Sequence, residues 1–199
     1  DHVSINSEAG TNLMFSIDAL NHDSYTGVPK GEGDLAIWPT GYLNFSADAT
    51  GLEGEIVLMP GDIVNDALHL VKSPVVLQIR GGNIIEIVGE SSDANLLKAQ
   101  LESFADREHA YMLKGFSIGL LYFRGDYFSG PFDPEKVNAI DTTLRGGWTT
   151  LNFGNDIANS LAVTLTSPNL LFDNVEVFLN GDFAATMEPD IYELALMGL

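Results

Sequence analysis

Cysteine is absent from this 199-residue chain, which excludes disulfides, thiolate nucleophiles and zinc–thiolate centres outright. Basic residues are scarce. Nine Lys and Arg stand against 28 Asp and Glu, for a formal net charge of −19 and a sequence pI near 4.2. No basic run exceeds one residue, so the field of the chain repels phosphate backbones and anionic headgroups and argues against nucleic-acid and membrane partners. The acidic residues are spread along the chain as solvated faces or as an adaptation to salt. Long apolar runs are also missing: stretches such as Ile118 to Phe123 fall far short of the ~20 residues that cross a bilayer. Asp1-His2-Val3-Ser4 has neither the basic nor the apolar part of a secretory leader. The chain starts without Met, as a processed or excised product would. These absences predict a soluble protein, with the cytoplasm favoured and the redox compartment left open.

What is present is a hydrophobic fraction of 45%, enough to fold despite the charge imbalance. A chain of this length buries about 70% of its unfolded surface, and the expectation is one domain over residues 1–199. Short alternating or β-branched runs bounded by Gly, Pro, Asn and Asp recur from end to end. They predict strands at Val3–Ser7, Asn12–Asp18, Asp34–Trp38, Gly54–Met59, Val75–Arg80, Ile84–Gly89, Ser117–Phe123, Trp148–Phe153, Leu161–Thr166 and Val175–Leu179. Gly81-Gly82-Asn83 marks a hairpin between Val75 and Val88. Ala94, Leu97, Leu101, Phe104 and Ala105 form an apolar stripe on a helix from Ser92 to about Glu108, N-capped by Ser91, Ser92 or Asp93. A short second helix is expected at Pro189–Met197 and a surface loop at Asp126–Asn138. The fold class is therefore β-rich α+β, with mixed or antiparallel sheets and one main interior helix.

Motifs for chemistry are few. The histidines His2, His22, His69 and His109 make none of the short pairs that grip a metal. Asp18-x3-His22-Asp23 is the nearest approach to a ligand cluster, and its neighbourhood from Asn21 to Gly27 reads as a solvated loop. Gly10-Thr11-Asn12 and Gly31-Glu32-Gly33 read as ordinary turns, and neither a phosphate-cradling loop nor a nucleophile elbow occurs.

The order of several landmarks is more informative. Val3 to Phe15, Pro29-Lys-Gly-Glu32, Gly54-Glu-Ile-Val57, the Ile79–Ile87 hairpin, Asp106 to Tyr111 with Ile118-Gly119, Gly147 to Gly154 and Val177-Phe-Leu-Asn-Gly181 follow one another across almost the whole chain. In this they resemble the second half of the aminopeptidase T-like metallopeptidases and their relatives, the 2,5-dihydroxypyridine dioxygenases. The N-terminal α/β domain of that family has no counterpart here. By this resemblance Gly31-Glu32 matches a Gly-Glu motif and keeps one metal-binding carboxylate. A family Glu falls near Gly115, a family His on or beside Thr150, and a closing His-x-Asp pair on Ser167 and Asn169. A divalent metal at such a site needs several imidazole or carboxylate donors, and no His follows His109. The resemblance thus implies a degenerate centre with no metal and no cofactor.

The leading expectation is a metal-independent binding protein or repurposed enzyme for a small polar or aromatic molecule. Thr150, Ser167 and Asn169 would bind that molecule, with Glu32 as a candidate general base or amine anchor, and proton transfer, isomerisation or cyclisation as the chemistry. A second reading is a non-catalytic subunit that pairs with a protein partner or with its own copy, through aromatic residues such as Trp38, Tyr42, Phe45, Tyr122, Phe123, Tyr127, Phe128 and Phe132. A third is a metal-dependent dioxygenase or aminopeptidase with carboxylate-only ligands such as Glu32, Asp156 and Asp173.

Overall fold

The computed structural model describes residues 2–25, 28–29, 31–33, 41–64, 69–104, 111–120, 146–154, 160–185 and 187. In chain order the strands are β1 His2–Asn6, β2 Asn12–Tyr25, β3 Tyr42–Asp48, β4 Glu53–Leu58, β5 Ile63–Val64, β6 His69–Leu70, β7 Val75–Arg80 and β8 Asn83–Val88. After helix α1, Ser92–Ser103, come β9 Leu113–Gly119, β10 Thr149–Phe153, β11 Leu161–Leu165, β12 Asn169–Phe172, β13 Val175–Leu179 and β14 Asp182–Phe183. The named strands pair antiparallel in one sheet, in the order β14-β13-β12-β1-β2-β3-β9-β10-β11-β5-β6. A branch, β4-β7-β8, leaves it at Asn12, which pairs with Glu55. No helix among the described residues is long and apolar enough to cross a membrane.

Alternation explains which face is inside. In the β1–β2 hairpin Val3 lies opposite Phe15 and Ile5 opposite Leu13, all buried, while Ser4 and Met14 pair on the other face. The same face carries Phe45, Phe116 and Phe172. The rings of Phe45 and Phe116 stack at 5.0 Å, and Phe15 meets Phe116 edge-on at 5.6 Å, the geometries that ring quadrupoles favour. Helix α1 adds Ala94, Leu97 and Leu101 to this core, and burying each Leu contributes about 1.5–3 kcal/mol. Its N-cap is Ser91, whose Oγ accepts from Ala94 N at 3.2 Å.

Tight turns set the strand ends. Gly81-Gly82, Asp173-Asn174 and Asn180-Gly181 each link two paired strands, and both residues of each turn have positive φ, as the primed hairpin turns demand.

Several expectations need correction. Helix α1 stops at Ser103, with Phe104 extended as its C-cap. The segment from Asn21, read as a solvated loop, continues as strand to Tyr25, so His22 and Asp23 belong to β2. Strand β9 begins at Leu113, four residues before the expected Ser117. The strands β3, β5, β6, β12 and β14 were not expected at all. The other paired strands match to within a residue or two. Asp34–Trp38, Asp126–Asn138 and Pro189–Met197 lie outside the described residues.

Candidate functional site

Where the turns at one end of the sheet meet, they enclose a cleft of about 630 Å³. The β1–β2 turn contributes Ser7, Glu8 and Ala9. The end of β4 and the turn that follows contribute Val57, Met59, Pro60 and Asp62. The end of β11 and its link to β12 contribute Leu165, Thr166, Ser167 and Pro168, and the β13–β14 turn adds Asn180. The lining mixes hydroxyl, amide and carboxylate groups with an apolar surface and, among the described residues, contains no Lys, Arg or His.

Three side chains tie these walls together. Thr11 Oγ1 accepts from Val57 N at 2.9 Å and reaches Val57 O at 3.3 Å, fixing the first turn to β4. Asn169 Nδ2 donates to Asn6 Oδ1 at 2.8 Å, and Asn169 Oδ1 accepts from Asn180 N at 2.7 Å. Asp62 joins the remaining pair of walls. Its Oδ1 accepts from Thr166 N at 2.8 Å and from Thr166 Oγ1 at 3.0 Å, and its Oδ2 accepts from Met59 N at 2.8 Å. Burial pushes the Asp62 carboxyl above the usual carboxylate range, against the pull of the bonds from Met59 and Thr166. Gly181 permits the last close approach: at φ +80° it sits where a Cβ would lie 2.3 Å from Thr166 O.

Of the residues expected to bind a ligand, Ser167 lines this cleft and Asn169 supports it from behind. Thr150 lies elsewhere, in a buried hydroxyl row that crosses β9, β10 and β11. It pairs with Ser117 on one side and Thr164 on the other, and its Oγ1 is 2.8 Å from Thr164 Oγ1. Glu32 is exposed in the turn 31–33 and is not among the described residues that line the cleft. The four therefore do not share this cavity. Sequence reading passed over Glu8, Asp62 and Thr11 because each resembles an ordinary turn residue; Asp62 follows Pro60-Gly61 and carried no motif. Of the carboxylates proposed as ligands, Asp173 is exposed and accepts from His2 N at 2.8 Å, while Asp156 lies outside the described residues. Phe45, offered for an interface, is buried in the core, and Tyr42 stacks on Tyr25 at 4.4 Å.

The sequence profile of the 2,5-dihydroxypyridine 5,6-dioxygenase (NicX) family matches residues 1–127. No curated protein matches the chain. Among solved structures, the 2,5-dihydroxypyridine dioxygenase from Pseudomonas putida KT2440 has the same fold with a TM-score of 0.72 at 21% identity, over 92% of this chain and 55% of that one. Wild-type AmpT from Thermus thermophilus follows with a TM-score of 0.56 at 12% identity, over 92% of this chain and 50% of that one. The chain spans about half the length of both.

Proposed function

We propose, from the premise that this chain belongs to the 2,5-dihydroxypyridine 5,6-dioxygenase family, that it binds a small polar molecule with an apolar or aromatic body in the cleft beside Ser167, without a metal. The observation that carries this reading is the cleft itself, with hydroxyl, amide and carboxyl groups beside apolar ones, at the segment onto which the resemblance placed the closing metal-ligand pair. Ligand sites of this kind are concave, mostly apolar and equipped with a few fixed polar groups.

Support for a reading without a metal comes from three of the positions onto which the resemblance placed metal ligands. A Cβ at position 115 would lie 2.2 Å from Phe45 O, so that strand cannot carry a carboxylate without moving its neighbour. The Thr150 hydroxyl is engaged with Thr164, and both polar atoms of Asn169 are engaged with Asn6 and Asn180. No group of three or more His, Asp or Glu converges among the described residues. What the cleft supplies instead is a carboxyl with a raised pKa, a feature common at sites that bind or move protons. Proton transfer at Asp62, aided by the neutral donors of Ser167 and Thr166, is the chemistry this supports.

The test is a titration of the isotopically labelled chain with benzyl alcohol, a neutral polar aromatic, alongside elemental analysis of the purified protein. The expected result is amide shifts confined to Val57, Thr166 and Asn180, and iron, zinc and cobalt far below one equivalent. Shifts elsewhere, no shifts, or a stoichiometric metal would overturn the reading.

A further inference from the structure

The charges around the cleft carry the reading one step further. Every ionisable side chain among the described residues of its lining is an acid: the buried Asp62 and the exposed Glu8. An ionised carboxylate offers about four acceptor sites. Asp62 spends two on Thr166 at Oδ1 and one on Met59 N at Oδ2, which leaves one acceptor site of Oδ2 without a donor among the described residues. A buried carboxylate left without a countercharge is costly; among the described residues neither Lys, Arg nor His lines the cleft to supply one. An incoming cation would fill the vacant acceptor and remove that cost together.

We infer that the cleft selects an organic cation, a primary or secondary ammonium or an amidinium on an apolar body, with its N–H groups donated to Asp62 Oδ2 and its charge shared with Glu8. A hard divalent cation is a poor fit, because it needs six or more oxygens and the carboxylates of the described lining are two, the buried Asp62 and the exposed Glu8. The apolar surface of Val57, Met59, Pro60, Leu165 and Pro168 suits the body of such an amine and would be wasted on a bare ion. Burial pushes the Asp62 carboxyl up, so pairing with a cation favours the ionised form that the buried site by itself disfavours.

This inference rests on the cleft being the binding site, and three near-isosteric probes separate the two claims: benzylamine, benzyl alcohol and benzoate, each titrated against the full chain. Benzylamine is expected to bind in the cleft at least about tenfold tighter than benzyl alcohol, as a charge-assisted bond implies, and benzoate weakest of all. Asp62→Asn should erase that preference. Because Asp62 also holds the walls, Glu8→Gln gives a second reading on an exposed residue, with an expected loss of about two- to fivefold for the amine and none for the alcohol. Benzyl alcohol or benzoate binding in the cleft as tightly as the amine would overturn the charge selection and leave the binding site standing. No binding of any probe in the cleft would overturn both.

Discussion

Asp93 shows how much a single side chain settles here. It is 1% exposed in the first turn of α1. It accepts from His69 Nε2 at 2.6 Å, from Lys72 N at 3.1 Å and from Ser73 N at 2.8 Å. Burial by itself raises its carboxyl pKa, but the His69 hydrogen bond, the two backbone bonds and the attraction of His69 outweigh it and hold the group below the usual range. The folded value is then below the unfolded value of about 3.9. Ionised Asp93 thus stabilises the fold above about pH 4, and that contribution is lost as pH falls through the folded value. Asp93→Asn is expected to cost about 1–3 kcal/mol at pH 7, with the difference from the parent chain shrinking as the medium is acidified below about pH 4. Urea midpoints at a series of pH values check this, and a pH-independent difference would refute it. The sequence marked Asp93 as a residue of the helix start. It could not show that the carboxylate reaches back 24 positions to His69, because nothing local encodes which loop packs beneath a helix end.

At the scale of elements, α1 was legible because its stripe repeats at the helical period, and the burial of Ala94, Leu97 and Leu101 follows that stripe. Leu101→Asp, which puts a charge on a 1% exposed position, is expected to cost about 3–5 kcal/mol. Leu96→Asp on the same helix, at 44% exposure, should stay within about 0.5 kcal/mol. Thermal melts of the two variants separate a packed stripe from a general intolerance of charge, and equal losses would contradict the packing described. The helix end was misread for a local reason. Ser103 Oγ donates to Gln100 O at 2.7 Å, a bond that competes with the helix ladder, and Phe104 turns out of the helix to pack on the core. Strand β3 was invisible because Tyr42–Asp48 mixes Asn, Ser and Asp with aromatics. Its place between β2 and β9 comes from partners on both sides, not from its own pattern.

Across the whole molecule, a net charge of −19 destabilises the compact state by self-repulsion. Raising NaCl from about 10 mM to about 500 mM shortens the screening length from about 30 Å to a few ångströms. The melting temperature should rise by at least about 2–4 °C, the shift that about 1 kcal/mol produces at this size. A calorimetric scan with no rise would mean that the acidic faces are spaced too widely to repel. Composition alone established this charge and the absence of thiol chemistry, while alternation and turn residues established the β-rich class, the Gly81-Gly82 hairpin and the helix. Those are local properties, readable because residue period and turn φ angles depend on neighbours in the chain. The cleft is different in kind. Asp62 meets Thr166 across 104 positions and Asn169 meets Asn6 across 163, and the family resemblance placed Thr150 in one site with Ser167. Strand register put Thr150 in a row with Ser117 and Thr164 instead. A one-residue slip in register would turn each of these side chains to the opposite face, and only the packed core, by burying one face of every strand, selects which register stands.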